Sequence, residues 1–504
     1  MKHMLELWKA DKLKGSLQIS WLLTVFASFW GSEILSVQIP AIGAMFPFRV
    51  LVPISAVLYL IWAIREKENP WKTASFMERM CYVLICVLLV YGTVSLVKAI
   101  DFGFTFRRLF NLCFDLCFFF LMLRLCRDRK LFGYTVWTAV AAVVLLTVMG
   151  VYEVFCGGIF NDKYNNFKIF TFFNGAYQLP IVTASNANDF IAMLMFVLAL
   201  ALLIWAEGSG KKHAWLPVFM LPAMYLLIRA ADSRLIEVGF WLLVAGVAIC
   251  NLVTRKKRAW VAVVTLVLIL CVNVGQEYYR IKPVVQNYLA KTAHAIHLMD
   301  DDSVPETEAK PEKPALTVDV HAVELKEQFY EVNEETGEVD LSTTYSAGKR
   351  VRLLVFAFDC FMESKGMGVG LGNTEQLAKV DITEKTEGIW AIHCFIARLI
   401  ADFGIWVLIP LAILGIGLLW QGLRQLLRSL RKREIKRAAF WLLYLLVLFG
   451  FPFVSTASAD AQDIISMWLY LAGVVLIPVL DQQAGGRRVP ESLDTPAQGG
   501  EGIC

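Results

Sequence analysis

The segment that decides the fold covers residues 388–414 and reads GIWAIHCFIARLIADFGIWVLIPLAIL. It begins where a hydrophilic stretch ends, and it continues into an apolar run that is long enough to enter a membrane. His393 stands at this junction. We therefore expect an ionisable side chain at a boundary between water and lipid. Such a position is costly without a reason, which makes His393 the first candidate for a functional residue.

The composition is that of a membrane protein. The chain has 504 residues, of which 57% are hydrophobic and 18% charged, and its mean hydropathy is +0.57. A soluble protein carries roughly 25% charged residues. The charges also cluster between apolar runs long enough to cross about 30 Å of hydrocarbon. These features predict an all-α polytopic membrane protein, since a barrel would show short alternating segments instead.

The apolar runs predict about twelve transmembrane helices. They lie near residues 17–37, 43–64, 80–99, 109–126, 131–155, 188–206, 214–229, 235–253, 259–275, 394–420, 438–455 and 464–480. Residues 1–275 would hold helices 1–9, and residues 391–480 would hold helices 10–12. We expect a large loop at 276–390, with a flexible acidic insert near 300–320. Residues 481–504 would form a disordered tail.

Basic residues concentrate in alternate loops, which predicts the orientation. The basic loops contain Lys2, Lys9, Lys12 and Lys14; Arg65, Lys67 and Lys72; Arg124, Arg127, Arg129 and Lys130; Lys211 and Lys212; Arg255, Lys256, Lys257 and Arg258; and the stretch from Arg424 to Arg437. Cytoplasmic loops of membrane proteins carry such an excess of Lys and Arg. Both termini are therefore expected to be cytoplasmic, and the 276–390 loop is expected to be extracytoplasmic.

The cysteines and histidines do not form a metal-site pattern. The 11 cysteines lie mostly inside apolar runs, and no pair has CxxC spacing. His294 and His297 could share a helix face, but two histidines are weak evidence for a metal site. We therefore expect no disulfide framework, no metal and no cofactor.

The predicted turn between helices 7 and 8, RAADSRLIEVGFW (229–241), has an unusual charge pattern. Arg234 would sit in the first turn of a helix, where the helix dipole disfavours a cation. One explanation is a bound anion, such as a phosphate held jointly with helix N–H groups. The other is an ion pair between Arg234 and Asp232 or Glu237. The local sequence favours neither.

Two further groups are weaker candidates. Arg350 and Arg352 form a basic cluster in the large loop, where a solvated face is the simpler interpretation. Asp189, at the start of helix 6, is explained more simply by helix capping.

Acidic and basic residues near the last spans complete the set. Arg398 and Asp402 follow His393 at spacings of about one helical turn, and both are expected to face the apolar region. Asp460 lies in the last outer turn, where helix capping is again the main alternative. The GVGLGN stretch (368–373) lacks the lysine of a Walker loop and follows a helix, so it is not read as a nucleotide site.

Three stretches together resemble the O-antigen ligase and polymerase family, which are bacterial membrane proteins related to lipid A core–O-antigen ligases. They are DSRLIEVGF (232–240), KRVRLLVFAFDCFMESKGMGVGLGN (349–373) and AIHCFIARLIADFGIWVLI (391–409). Cys394 replaces the asparagine of the family pattern, and Asp402 stands where the family has glutamate. The family arginine aligns with Arg350, with Arg352 as the alternative.

The resemblance implies a reaction. A glycan on undecaprenyl diphosphate would be transferred to a hydroxyl of an acceptor glycan or lipid, at the extracytoplasmic face of the bacterial inner membrane. His393 would be the general base, and Arg234 with Arg350 or Arg352 would bind the diphosphate. Asp189, Asp232, Arg398, Asp402 and Asp460 would support them. The partners would be these substrates and the lipid bilayer, without nucleic acid.

Three alternatives remain open at the level of sequence. Polymerase and ligase differ only in the acceptor, which the sequence does not identify. A polyprenyl-linked glycan flippase would also have about twelve spans, but the absence of internal symmetry and the outer position of the charges disfavour it. A scaffold protein of the cell envelope is the third class.

Overall fold

A computed structural model describes residues 11–30, 37–39, 43–156, 182, 184, 186–207, 216–254, 260–275, 343–380, 392, 394–458 and 464–486. The acidic insert near 300–320, most of the predicted large loop and the tail beyond residue 486 lie outside these ranges. So do two of the candidate site residues, His393 and Asp460.

The described chain is almost entirely helical. Its helices are α1 (Lys12–Ala27), α2 (Pro47–Arg65), α3 (Pro70–Thr73), α4 (Phe76–Ser95), α5 (Phe102–Leu125), α6 (Arg129–Cys156), α7 (Ala187–Glu207), α8 (Leu221–Ala230), α9 (Arg234–Thr254), α10 (Trp260–Gly275), α11 (Thr343–Glu363), α12 (Asn373–Val380), α13 (Phe395–Phe403), α14 (Ile405–Arg431), α15 (Ile435–Ala457) and α16 (Ile465–Gly486). A π-helical turn, Leu216–Met220, leads into α8, and a 3-10 turn, Leu96–Lys98, follows α4. The strands β1 (Val37–Ile39) and β2 (Gly43–Met45) form one small antiparallel hairpin.

The prediction of an all-α polytopic membrane protein is confirmed. Within the described ranges, 8 helices are long and apolar enough to cross a membrane, namely α2, α4, α6, α7, α9, α14, α15 and α16. The segments Leu216–Ala230 and Trp260–Gly275 are shorter apolar helices. With α1 and α5, a helix is found at every predicted apolar run. The first run begins and ends earlier than predicted, at Lys12 and Ala27.

Local sequence signals set several helix starts. Asp11 caps α1 by accepting hydrogen bonds from the backbone N–H groups of Leu13 and Lys14, at 3.1 and 3.2 Å. Ser75 and Glu78 form a capping box at the start of α4. Such caps satisfy N–H groups that have no partner inside the helix.

The centre of the bundle is α7, which is apolar on all sides and buried along most of its length. A helix of that kind is stable only when other helices surround it. It packs against α6, α15 and α16. The sequence pattern of α7 therefore places it in the interior of the bundle.

Small residues bring α9 and α15 together. A Cβ atom at Gly246 would lie 2.5 Å from Leu443, and one at Gly239 would lie 3.0 Å from Val454. In a membrane, helices associate through close packing of this kind because lipid is as apolar as the side chains. The two helices run antiparallel, so the start of α9 lies beside the end of α15.

Ion pairs join the predicted cytoplasmic loops at one end of the bundle. The pairs are Arg65–Asp11 (2.9 Å), Arg124–Glu68, Arg127–Glu78 (2.9 Å), Arg129–Glu207 and Arg437–Asp481 (2.6 Å). We call this the basic end and the other the opposite end. The alternation of loops that the charge pattern predicted is thus present in the fold. The side of the membrane on which each end lies stays a prediction.

The predicted tenth span is divided into two helices. It breaks at Gly404, whose φ of +66° lies in a region that L side chains rarely adopt. A Cβ atom at this position would lie 2.3 Å from the carbonyl carbon of Met367. Hydropathy alone does not reveal the break, because both halves are apolar. As a result, α13 packs separately from the span α14.

Candidate functional site

A glycine-rich turn at residues 366–373 packs directly against the break between α13 and α14. The N–H groups of Val369 and Gly370 each donate to carbonyls of α13, over 2.9 Å. A Cβ atom at Gly368 would lie 2.6 Å from the backbone of residues 402–404, so no larger residue fits there. The stretch GVGLGN therefore acts as a structural joint between the end of α11 and the start of α14.

The buried side chain of Asp402 stabilises this joint through hydrogen bonds. Its side chain is fully buried and accepts hydrogen bonds from the N–H of Gly372 (3.0 Å) and from the N–H and hydroxyl of Thr374 (3.2 and 2.5 Å). These bonds fix the first turn of α12. They give Asp402, a candidate supporting residue, a structural role.

Arg398, another candidate supporting residue, belongs to a buried ion cluster. Its Nη1 lies 2.7 Å from Oε1 of Glu375, and Nη2 of Arg108 lies 2.9 Å from Oε2 of the same carboxylate. The Glu375 side chain is only 1% exposed. The cluster ties α13 to α12 and to the start of α5.

Sequence reasoning singled out neither Glu375 nor Arg108 as a site residue. The sequence around Glu375 is hydrophilic, so it does not indicate that this carboxylate is buried. Arg108 did carry a signal, because an arginine at the entrance of an apolar helix generally requires a partner.

His393 lies outside the described residues, but both of its neighbours are described. Ile392 is fully buried and belongs to one apolar cluster with Phe356 and Cys360 of α11. Cys394 lies 3.6 Å, measured to its sulfur, from the hydroxyl of Thr456, which is close to the end of α15. The described neighbours of His393 therefore lie in the buried cluster of α11 and beside the end of α15.

The two loop arginines share helix α11. The backbone of Arg350 is helical, and its side chain lies outside the description. Arg352 is half-buried. It precedes Phe356 by one turn, or about 6 Å along the helix axis. Because Phe356 and Ile392 belong to one buried cluster, Arg352 lies near that cluster.

Asp189 also meets the end of α15. Its side chain is buried at the start of α7, and its Oδ1 accepts a hydrogen bond from the hydroxyl of Ser458. Asn186 caps the helix, because its side-chain oxygen accepts from the N–H of Asp189 over 2.9 Å. Capping is therefore the role of Asn186, while Asp189 connects α7 to the end of α15. Asp460 is two residues beyond Ser458 and outside the described ranges.

Arg234 lies at the start of α9, beside the end of α15. Its Nε is 3.9 Å from Oδ1 of Asp232, and both side chains are mostly exposed. Such a pair contributes little to stability. Glu237, the other partner considered, pairs with Arg229 at 3.6 Å. The Asp232 pair is thus present but loose, and Arg234 remains accessible to an anion.

The structure therefore gathers parts of the candidate site at the opposite end of the bundle. Asp189, Cys394 and the start of α9 meet at the end of α15, and Ile392 shares a buried cluster with residues of α11. Arg398 and Asp402 lie in the adjoining joint. In the part of the chain that the structure describes, no three His, Cys, Asp or Glu side chains are placed to hold a metal ion.

Comparison with known proteins gives one informative similarity. No protein-family model matches the chain. The chain is 19% identical over 471 residues to the teichuronic acid biosynthesis protein TuaE of Bacillus subtilis (strain 168). The match covers 89% of this chain and 81% of that protein. The similarity thus extends over most of both proteins.

Proposed function

We propose that this protein takes part in the biosynthesis of a cell-surface polysaccharide, as a membrane-embedded glycan transferase of the O-antigen ligase and polymerase type. The helical membrane fold and the similarity to a teichuronic acid biosynthesis protein along 89% of the chain support the broader statement. The three sequence stretches that resemble the ligase and polymerase family support the specific one.

One observation carries the proposal. Ile392, on one side of His393, belongs to the same buried cluster as residues of α11, and Cys394, on the other side, lies beside the end of α15. Arg352 is on α11, and Asp189 bonds to Ser458 just after α15, so these observations support a site that His393 would share with both. A base close to fixed cations is the arrangement that transfer from a diphosphate requires.

The reaction we propose uses these groups as follows. An acceptor hydroxyl attacks the anomeric carbon of the lipid-linked sugar while His393 takes the hydroxyl proton. The bond between that carbon and the diphosphate oxygen breaks, and undecaprenyl diphosphate leaves with the bonding electrons. Arg234 and Arg350 or Arg352 stabilise the charge that develops on the leaving group. Proton removal by a positioned base contributes about 10²–10⁴-fold to the rate.

The proposed location follows from the charge pattern. The basic end would face the cytoplasm of a bacterium, since cytoplasmic loops are enriched in Lys and Arg. The opposite end, with the candidate site, would then face outward across the inner membrane. Lipid-linked glycan in the outer leaflet would reach the site from the side.

The test is a transfer assay with the purified protein in nanodiscs and an undecaprenyl diphosphate-linked oligosaccharide. We expect His393→Ala to lower the rate by about 10²-fold or more. Arg352→Gln should lower it at least about tenfold. Arg107→Gln is the matched control, because Arg107 is an exposed arginine at the same end of the bundle. A folded His393→Ala variant with full activity would refute the proposal.

A transporter is the second candidate, and one feature favours it. A cavity of about 1040 Å³ opens at the basic end. Its lining includes Lys14, Trp62, Glu68, Arg124 and Lys130. A flippase would admit the lipid-linked glycan there, whereas the transferase needs no opening at this end. Vesicles that move the glycan across the bilayer without changing it covalently would favour the transporter.

A further inference from the structure

Helix α11 has two apolar faces, and the described residues cover only one of them. Phe356, Ala357 and Cys360 are buried against the segment around α13. On another face, Val351, Val355, Phe358 and Met362 are 58%, 49%, 59% and 57% exposed. Their spacing of four, three and four residues places them on one line along the helix. We call these four residues the outer stripe. A continuous exposed row of large apolar side chains normally has a partner.

The depth of α11 in the bundle indicates which partner. It packs against α13, which begins at Phe395. The ring centroid of Phe395 lies 6.4 Å from that of Phe451 and 6.3 Å from that of Trp468. Both of these rings belong to membrane spans, α15 and α16, near their ends at the opposite end of the bundle. Helix α11 therefore lies at the level of the last turns of the spans, close to the surface of the membrane.

The outer stripe also leads to a surface that faces lipid. Just beyond α11, the carbonyl of Gly366 accepts a hydrogen bond of 2.9 Å from the N–H of Ile405. Ile405 and Trp406 begin the span α14, and their side chains are exposed. Tryptophan is typical of the boundary between lipid and water. The outer stripe therefore ends next to a lipid-facing side of the bundle at interfacial depth.

Charged residues flank the outer stripe, and they include two cations that can meet phospholipid phosphates as well as the acidic Asp359 and Glu363. Arg352 is half-buried next to Val351, and exposed Lys365 follows the end of the helix. Helices that lie in a membrane surface combine an apolar face with basic residues in this way, because the cations meet lipid phosphates.

We propose that α11 lies in the plane of the membrane surface at the opposite end of the bundle. The outer stripe inserts among the acyl chains of bilayer phospholipids. The bilayer then holds α11 on one side, and α13 holds it on the other. The arginines of this helix would consequently lie at the level of lipid phosphates. The inference does not depend on the transfer reaction.

The test uses photo-crosslinking in the full chain, which leaves the native cysteines in place. A benzophenone amino acid replaces Phe358 in the outer stripe, and in separate variants Glu363 or Ile416. Ile416 is an exposed residue within the span α14, so it reports the yield for lipid contact. Glu363 is an exposed position on the same helix outside the outer stripe. The nanodiscs contain only phosphatidylglycerol and phosphatidylethanolamine, without polyprenyl lipid.

We expect the Phe358 variant to crosslink to phospholipid within about twofold of the Ile416 yield, and the Glu363 variant at least about fivefold less. Mass spectrometry of the adducts identifies the partner. Adducts at Phe358 with another segment of this chain, with a second copy, or only with added polyprenyl lipid would overturn the inference. Absence of any adduct there would also overturn it. A protein without transfer activity but with phospholipid adducts would contradict the proposed function alone.

Discussion

Replacement of Glu375 by glutamine tests the buried ion cluster directly. The substitution keeps the shape of the side chain and removes its charge. In the native protein, the carboxylate lies 2.7 Å from Arg398 and 2.9 Å from Arg108. The Arg398 side chain is 2% exposed and that of Arg108 is 12% exposed. The variant would therefore leave both guanidinium groups in a poorly solvated place without the carboxylate between them.

The expected cost follows from this burial. Removal of one partner from a buried ion pair costs about 3–5 kcal/mol. Because Arg108 retains some contact with solvent, we expect a loss near 3 kcal/mol in the free energy of unfolding. Glu66→Gln is the matched control, since Glu66 pairs with Arg65 at 3.4 Å and both side chains are about half exposed. Its loss should stay below about 1 kcal/mol.

The assay is unfolding by sodium dodecyl sulfate in mixed micelles, followed by circular dichroism. A second, double variant combines Glu375→Gln with Arg398→Met. Because this removes one of the two buried cations that faced the carboxylate, it should recover at least about 1 kcal/mol relative to Glu375→Gln alone. The reasoning is refuted if Glu375→Gln loses no more stability than Glu66→Gln, or if the double variant is no more stable than Glu375→Gln alone.

Three other predictions concern single positions. Gly404→Ala should lower the free energy of unfolding by about 2 kcal/mol or more in the same assay, because φ is +66° and a Cβ atom would meet backbone. Gly415→Ala is the control and should be neutral, since no atom lies within 4 Å of a Cβ atom there. Equal effects of the two substitutions would contradict the packing described. Cys360 should resist alkylation at pH 8 in the folded protein, because burial raises the pKa of its thiol to about 12; labelling should become complete in denaturant, and equally fast labelling of the folded protein would show that the thiol is accessible. Ser458→Ala should cost about 1–3 kcal/mol by removing a hydrogen bond to the buried carboxylate of Asp189, and an unchanged unfolding free energy would show that this bond is dispensable.

The membrane helices could be predicted because their signal is local. An apolar run of sufficient length must form a helix in lipid, where every backbone group needs a partner inside the segment. The alternation of basic loops is also visible in the sequence, and ion pairs such as Arg124–Glu68 and Arg437–Asp481 join those loops in the fold. These features depend on composition over short windows.

The division at Gly404 could not be predicted in the same way. Hydropathy is continuous through α13 and α14, and the break depends on backbone contacts with the turn around Gly368. The cluster of Arg108, Glu375 and Arg398 is equally hidden, since its members come from distant parts of the chain. Pairings of this kind arise from packing, and a single sequence does not display them.

For the candidate site, the sequence likewise indicated some residues but not their partners. The sequence directed attention to Asp189, Arg398 and Asp402 by charge and position, and all three are buried. Their partners could not be anticipated, because Ser458, Glu375 and Thr374 are distant in sequence from the residues they contact. Charge near a membrane boundary thus identified residues that need partners, and only the fold supplied those partners.

The most direct test of the central claim is glycan transfer by the wild-type protein in sealed proteoliposomes of known orientation. Lipid-linked oligosaccharide is presented either on the leaflet at the opposite end or on the leaflet at the basic end. We predict covalent transfer, with release of undecaprenyl diphosphate, only when substrate occupies the leaflet at the opposite end. Transfer from the leaflet at the basic end alone, or movement of the lipid across the bilayer with its glycan unchanged, would contradict the account.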